Sequence, residues 1–198
     1  AFKTTKSQID STIATTTSRY GSEGTVSGPL NKLTATWTPL GKSADQLISS
    51  EPAVLALAGN ADRFGSQVPQ LQAQLNEVVR AMSASGAQSS QIYNARQQVV
   101  VAGTMARRVT EMRAGGSGAA NAGSALARDS VVFGQVLEGL RNGNSDLGIA
   151  PLRNGAALSA LTQSQALWAT MKKDLDAITG SSKNLFAAQT GDAAITNG

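Results

Sequence analysis

The chain contains no cysteine and no histidine. Without thiols it can form no disulfide framework and no thiolate metal site. Without imidazole it has no Ser-His-Asp or Cys-His nucleophile and no His-ligated zinc. It also lacks the side chain that most often moves protons near neutral pH. Aromatic residues make up only 4% and charged residues only 15%. The net charge of +4 comes from Lys and Arg dispersed along the chain. Nucleic-acid binders concentrate such residues on one stripe and interleave stacking aromatics, so no nucleic-acid partner is expected. No segment reaches the roughly 18 consecutive apolar residues of a membrane span. The first residues, Ala1-Phe2-Lys3-Thr4-Thr5, do not resemble a signal peptide and read as a cut inside something larger.

Paired carboxylates are the remaining route to acid–base chemistry. Asp174 and Asp176 are two apart and point different ways on a helix, while Glu111, Asp129 and Glu138 stand alone among surface positions. Nearly all read as solvated surface charge. Gly115-Gly116-Ser117-Gly118 lacks the preceding strand and the spacing of a phosphate-binding loop, so it reads as a flexible connection. The chain is therefore expected not to be an enzyme and to carry neither metal nor cofactor.

What is present is helical periodicity over 198 residues, 41% of them hydrophobic. A first short helix uses Phe2, Ile9 and Ile13, and Gly21 to Pro29 reads as a loop. Leu30, Leu33, Trp37, Leu40, Ala44, Leu47 and Ile48 form one face of a second helix. Ser49-Ser50-Glu51-Pro52 offers a serine cap with proline in the first turn, which predicts a new helix there. That helix carries Val54, Leu55, Leu57, Phe64, Val68, Leu71, Leu75, Val78, Val79 and Met82, with a kink expected at Pro69. Further helices are expected over roughly 90–113, around Leu126 to Leu140 with Asn142-Gly143-Asn144 as C-cap, and from Leu158 to Ile178. The valines at 99–101 favour a strand locally, but both flanks are helical and helix is the expectation. The fold class is all-α, an elongated antiparallel bundle.

Two features stand out. Trp37, Leu40, Ala44 and Leu47 repeat the offsets of Trp168, Met171, Leu175 and Ile178. Any amphipathic helix shares such steps, but a shared tryptophan anchor points to a duplicated module. The second feature is Arg96 to Arg108, RQQVVVAGTMARR, in which three arginines without a nearby acidic partner flank an apolar run. At 100° per residue, Arg96, Gly103 and Arg107 share one line, while Val101, Met105, Val109 and Met112 gather opposite. The helix is thus apolar on much of its circumference and is expected to pack on more than one neighbour. Arg96, with Gln97 beside it, could hold an anion across a helix interface or simply reach to solvent.

Arg96-Gln97 opens a segment that resembles the Arg-Gln-x-Met/Leu-Leu-Ser-x-Arg motif of PilJ-type sensor modules. Residues 127–143, ARDSVVFGQVLEGLRNG, are similar to the following helix of that family, as are VPQLQ at 68–72 and EVV at 77–79. The three blocks occur in the family's order, and the similarity covers most of the chain. The resemblance implies the periplasmic sensing region of an inner-membrane methyl-accepting chemotaxis receptor of the type IV pilus. Such receptors control twitching motility and surface sensing as homodimers coupled to a cytoplasmic histidine kinase, with pilin as the expected protein input. It further implies two tandem modules: residues 1–85, lacking its opening helix, and residues 86–180. A tail at 181–198 would lead towards a membrane helix. Anion-sensing relatives hold nitrate with the first arginine of the motif at a subunit interface, which makes Arg96 and Gln97 the candidate ligand-binding residues and a small-anion sensor the alternative function. The motif's serine falls on Val101 and its later arginine on Gly103, departures that argue against nitrate-like binding.

Overall fold

The computed structural model describes residues 1–181. Among them are five helices and no strand: α1 (Phe2–Tyr20), α2 (Ser27–Ala84), α3 (Ser89–Ala114), α4 (Ala119–Asn142) and α5 (Gly155–Gly180). The expected all-α bundle is what forms, and the valines at 99–101 are helical. Apart from Ser181, the expected tail lies outside the described residues. The chain divides into two compact units, one holding Ala1–Val54 and the other beginning at Leu55, and α2 contributes to both.

Two expectations about α2 are corrected. No new helix starts at Ser49 to Pro52, because α2 runs through it. The hydroxyls of Ser49 and Ser50 donate back to the Gln46 and Leu47 carbonyls at 2.9 and 2.8 Å instead of capping forwards. Pro39, Pro52 and Pro69 all lie on the exposed face, where water can take the carbonyl each proline leaves without a donor. Nor is Gly21 to Pro29 a loop throughout. The helix begins at Ser27, and Pro29 occupies its first turn, where a missing N–H costs nothing. The end of α2 is a Schellman motif: Gly86, at φ 71°, lets Ala87 N donate to Met82 O at 3.0 Å and Gly86 N to Ser83 O at 3.2 Å.

In the first unit, α1 and the N-terminal part of α2 form a hairpin. A single two-helix layer covers its apolar residues poorly. Leu30 and Ala44 are buried, whereas Phe2, Leu33 and the flanks of Ile9, Ile13 and Trp37 keep solvent contact. Polar bonds fix the pairing. Asp10 accepts from Trp37 Nε1 at 2.7 Å and pairs with Lys6 at 2.8 Å, and Lys6 also reaches Asp45 at 2.7 Å. Hydrogen bonds to Asp10, then Asp45, raise the Lys6 pKa. Those from Lys6, then Trp37, lower that of Asp10. A depressed carboxylate stabilises the fold above its ordinary value and loses that support as pH falls through the depressed one. A raised lysine stabilises below its ordinary value and loses support as pH rises through the raised one. The hairpin is therefore expected to loosen as pH drops beneath 3.8 and again as it climbs past 10.5. Exchange of the Trp37 indole proton followed against pH checks this, and protection that holds flat beyond both limits would refute it.

The second unit is a four-helix bundle with a sustained heptad. Buried positions on α2 fall at Leu57, Ala61, Phe64, Val68, Leu71, Leu75, Val78 and Met82, alternating steps of four and three. Ala95, Gln98, Ala102, Met105, Val109 and Met112 do the same on α3. So do Ala119, Gly123, Leu126, Ser130, Phe133, Leu137 and Leu140 on α4, and Ala157, Leu161, Ser164, Trp168, Met171, Leu175 and Ile178 on α5. A 3.5-residue period keeps one seam on the bundle axis, as in coiled coils. Asn154 caps α5, accepting from Ala157 N at 2.9 Å. Between α4 and α5 an isolated bridge, Asn144 to Ile149, folds the loop so that Ile149 and Leu152 are buried.

Candidate functional site

α3 positions the residues singled out by the sequence. Arg96 is exposed and makes no ion pair among the described residues, and Gln97 is half-buried with Nε2 donating to the Tyr93 hydroxyl at 2.6 Å. The other two arginines of the stretch do have partners. Arg107 lies 3.7 Å from Glu111 on the next turn, and Arg108 lies 2.8 Å from Asp129 on α4. The second contact has ion-pair distance but not hydrogen-bond angle, since neither atom finds a hydrogen-bond partner, so it is a charge contact only. Asp174, read as solvated, instead joins α5 to α2 through Arg63 at 2.8 Å, and Arg113 joins α3 to Asp62 on α2. A helical wheel treats each helix alone, which hides pairs made across helices.

Gly103, where the motif carries its second arginine, has a structural role. The Gln72 amide of α2 crosses to α3 and donates to Val99 O at 3.0 Å, a carbonyl that also serves the α3 ladder. A Cβ at residue 103 would sit 3.2 Å from Gln72 Nε2. Any side chain there would make the glutamine amide give way by a few tenths of an ångström. On the other side of the bundle, Gln165 of α5 donates to Leu137 O of α4 at 3.2 Å, and its own oxygen accepts from Arg141 at 2.7 Å.

The two bonds lie at one height. Gln72 is nine residues along α2 from Arg63, and Gln165 is nine residues back along α5 from Asp174, the partner of Arg63. Val99 and Leu137 are likewise nine residues before Arg108 and eight after its partner Asp129. With a rise of about 1.5 Å per residue, the bonds are level to within a residue. Buried Gln98 and Ser164 stand next to this belt in sequence. Sequence reasoning missed both glutamines, since an isolated Gln in a Gln-rich chain carries no signal without the register of its neighbours. Gln72→Met keeps the stem and removes the donor, and is expected to cost about 0.5–1.5 kcal/mol in denaturant unfolding. An unchanged midpoint would show that the bond contributes nothing.

Among the described residues no group of acidic side chains could hold a metal ion, and no helix is long and apolar enough to cross a membrane. No protein-family model matches the chain. It is 30% identical to Protein PilJ of Pseudomonas aeruginosa over 139 residues, covering 70% of this chain and 20% of that protein. It is also 30% identical to a putative methyl-accepting chemotaxis protein, AlkN, of Alcanivorax borkumensis over 132 residues, covering 67% of this chain and 20% of that one. The chain thus spans about a fifth of the length of these curated relatives. Over the residues compared, it belongs to the PilJ-type family of methyl-accepting chemotaxis receptors.

Proposed function

We propose that this chain is the periplasmic signal-input domain of an inner-membrane, type IV pilus chemoreceptor that controls twitching motility and surface sensing. Its input is contact with pilin, it works as a homodimer in the full receptor, and it performs no catalysis. The observation that carries this reading is the shared stretch with PilJ, on a bundle of long helices with a heptad seam. A heptad seam lets long helices exchange one packing for another by about 1–2 Å, and a signal can pass along the helices to a cytoplasmic kinase. The level belt marks where such a shift is resisted, because Gln72 and Gln165 tie α2 to α3 and α5 to α4. Among the described residues, buried side-chain oxygens on Gln67, Gln74, Gln98, Asp129 and Ser130 have no hydrogen-bond donor, a cost that a second packing can relieve. Deleting this region from the receptor should abolish pilus-dependent signalling, and signalling that survives the deletion would reduce the domain to a spacer.

One observation favours the small-anion alternative: Arg96 is exposed and without an acidic partner among the described residues. Against it stands Gln72, which fills the room a second arginine would need. Calorimetry with nitrate on wild type and Arg96→Ala separates the readings. Nitrate heat lost in Arg96→Ala would favour the anion sensor, and no heat in the wild type removes it.

A further inference from the structure

The two tryptophans share helix offsets, but their indole N–H groups meet different surroundings. In the first unit Trp37 Nε1 donates to the Asp10 carboxylate at 2.7 Å, and Lys6 holds the same carboxylate at 2.8 Å. In the second unit Trp168 is 6% exposed and packs its ring 4.5 Å from that of Phe133. Its Nε1–H has no protein acceptor among the described residues, and the residue borders a groove. The group is directed at Gly134 of α4, where a Cβ would lie 3.5 Å from Nε1. Where α1 offers the indole a carboxylate, α4 offers no side chain.

That gap opens into a groove of about 370 Å3 between α4 and α5, bordered by Leu137, Glu138, Arg141 and Gln165. Arg141 commits only Nη1, to Gln165 Oε1 at 2.7 Å and Thr162 Oγ1 at 3.3 Å, so among the described residues its Nε and Nη2 have no acceptor. The Glu138 carboxylate is steadied by the amides of Asn142 and Gln165 and has no cation paired with it among the described residues. The groove therefore combines an indole donor with no protein partner, a guanidinium with spare donors and an unpaired carboxylate three residues from it.

We propose that this groove binds a small zwitterion with one carboxylate and one ammonium, the simplest being a free α-amino acid. The ligand carboxylate takes the place that Asp10 fills in the first unit, accepting from Trp168 Nε1 and from Arg141. The ammonium lies against Glu138, which would repel a carboxylate that came alone. The site is separate from Arg96 and Gln97 on α3, so it stands or falls independently of the receptor reading.

The indole N–H signals of the 15N-labelled 198-residue chain provide the test, with Trp168→Phe assigning them. The common amino acids are titrated singly, with acetate and methylamine as controls. At least one amino acid should shift the Trp168 signal saturably and leave that of Trp37 in place, and the controls should bind more weakly by about tenfold or more. Arg141→Gln and Glu138→Gln, both at exposed positions, should each weaken binding by about tenfold. Gly134→Asp, which tethers a carboxylate beside the indole, should shift the Trp168 signal without ligand and abolish the response. The proposal is overturned if no amino acid moves the signal, if acetate moves it equally well, or if both Gln variants bind like the wild type.

Discussion

Replacing Phe133 with alanine lowers the stability of the second unit by about 3–5 kcal/mol, the usual cost of emptying a fully buried aromatic site. Phe133 is 0% exposed and its ring lies 4.5 Å from that of Trp168, so the deletion removes both its own burial and the support of that tryptophan. Partial collapse is opposed by the heptad, since Ser130 and Leu137 on the same seam are fixed by their own layers. The neighbouring Val132 is 50% exposed, and Val132→Ala should change stability by no more than about 0.5 kcal/mol. Hydrogen exchange of the α4 amides is the appropriate measurement, because two units need not unfold together. Similar losses of protection in the two variants would mean that α4 does not present the face described.

Gly143→Val should cost about 3 kcal/mol, from two sources that act together. Gly143 ends α4 at φ 87° and ψ 150°, a region that residues with a Cβ enter only at about 1–3 kcal/mol. A Cβ there would also stand 3.2 Å from Pro151 Cδ, in the loop that buries Ile149 and Leu152. Gly86 provides the control: its φ is 71° but nothing lies within 4 Å of a Cβ, so Gly86→Ala meets only the backbone cost of about 1–2 kcal/mol. Urea unfolding of both variants ranks them, and a Gly86→Ala variant as destabilised as Gly143→Val would show that the Pro151 contact is unimportant.

Much of the fold was legible because hydrophobic spacing is a local property. Helices at 90–113 and after Leu158, the Asn142-Gly143-Asn144 cap and the helical valines all followed from period and punctuation. The continuity of α2 was not legible, since Ser-Ser-Glu-Pro is written the same way whether it caps a helix or crosses its exposed face. The partners of Arg108 and Asp174 were hidden for a different reason: they lie on other helices, and their alignment depends on a register that only the packed bundle defines. At the candidate site, Arg96 and Gln97 were conspicuous by motif, and Gly103 was conspicuous by departure from it. That Gly103 makes room for Gln72 depends on a residue 31 positions away. The tryptophan echo was visible in the offsets, while the contrast between a satisfied Trp37 and an unsatisfied Trp168 belongs to the structure.

A domain that receives its signal from the pilus, as proposed, should bind the pilus subunit. The decisive measurement is binding of purified major pilin to the 198-residue chain, with the longer receptor segment as comparison. Saturable binding that survives Arg96→Ala is expected, because contact with a protein surface does not depend on one anion-holding arginine. Absence of pilin binding by both the chain and the longer segment would contradict the proposal.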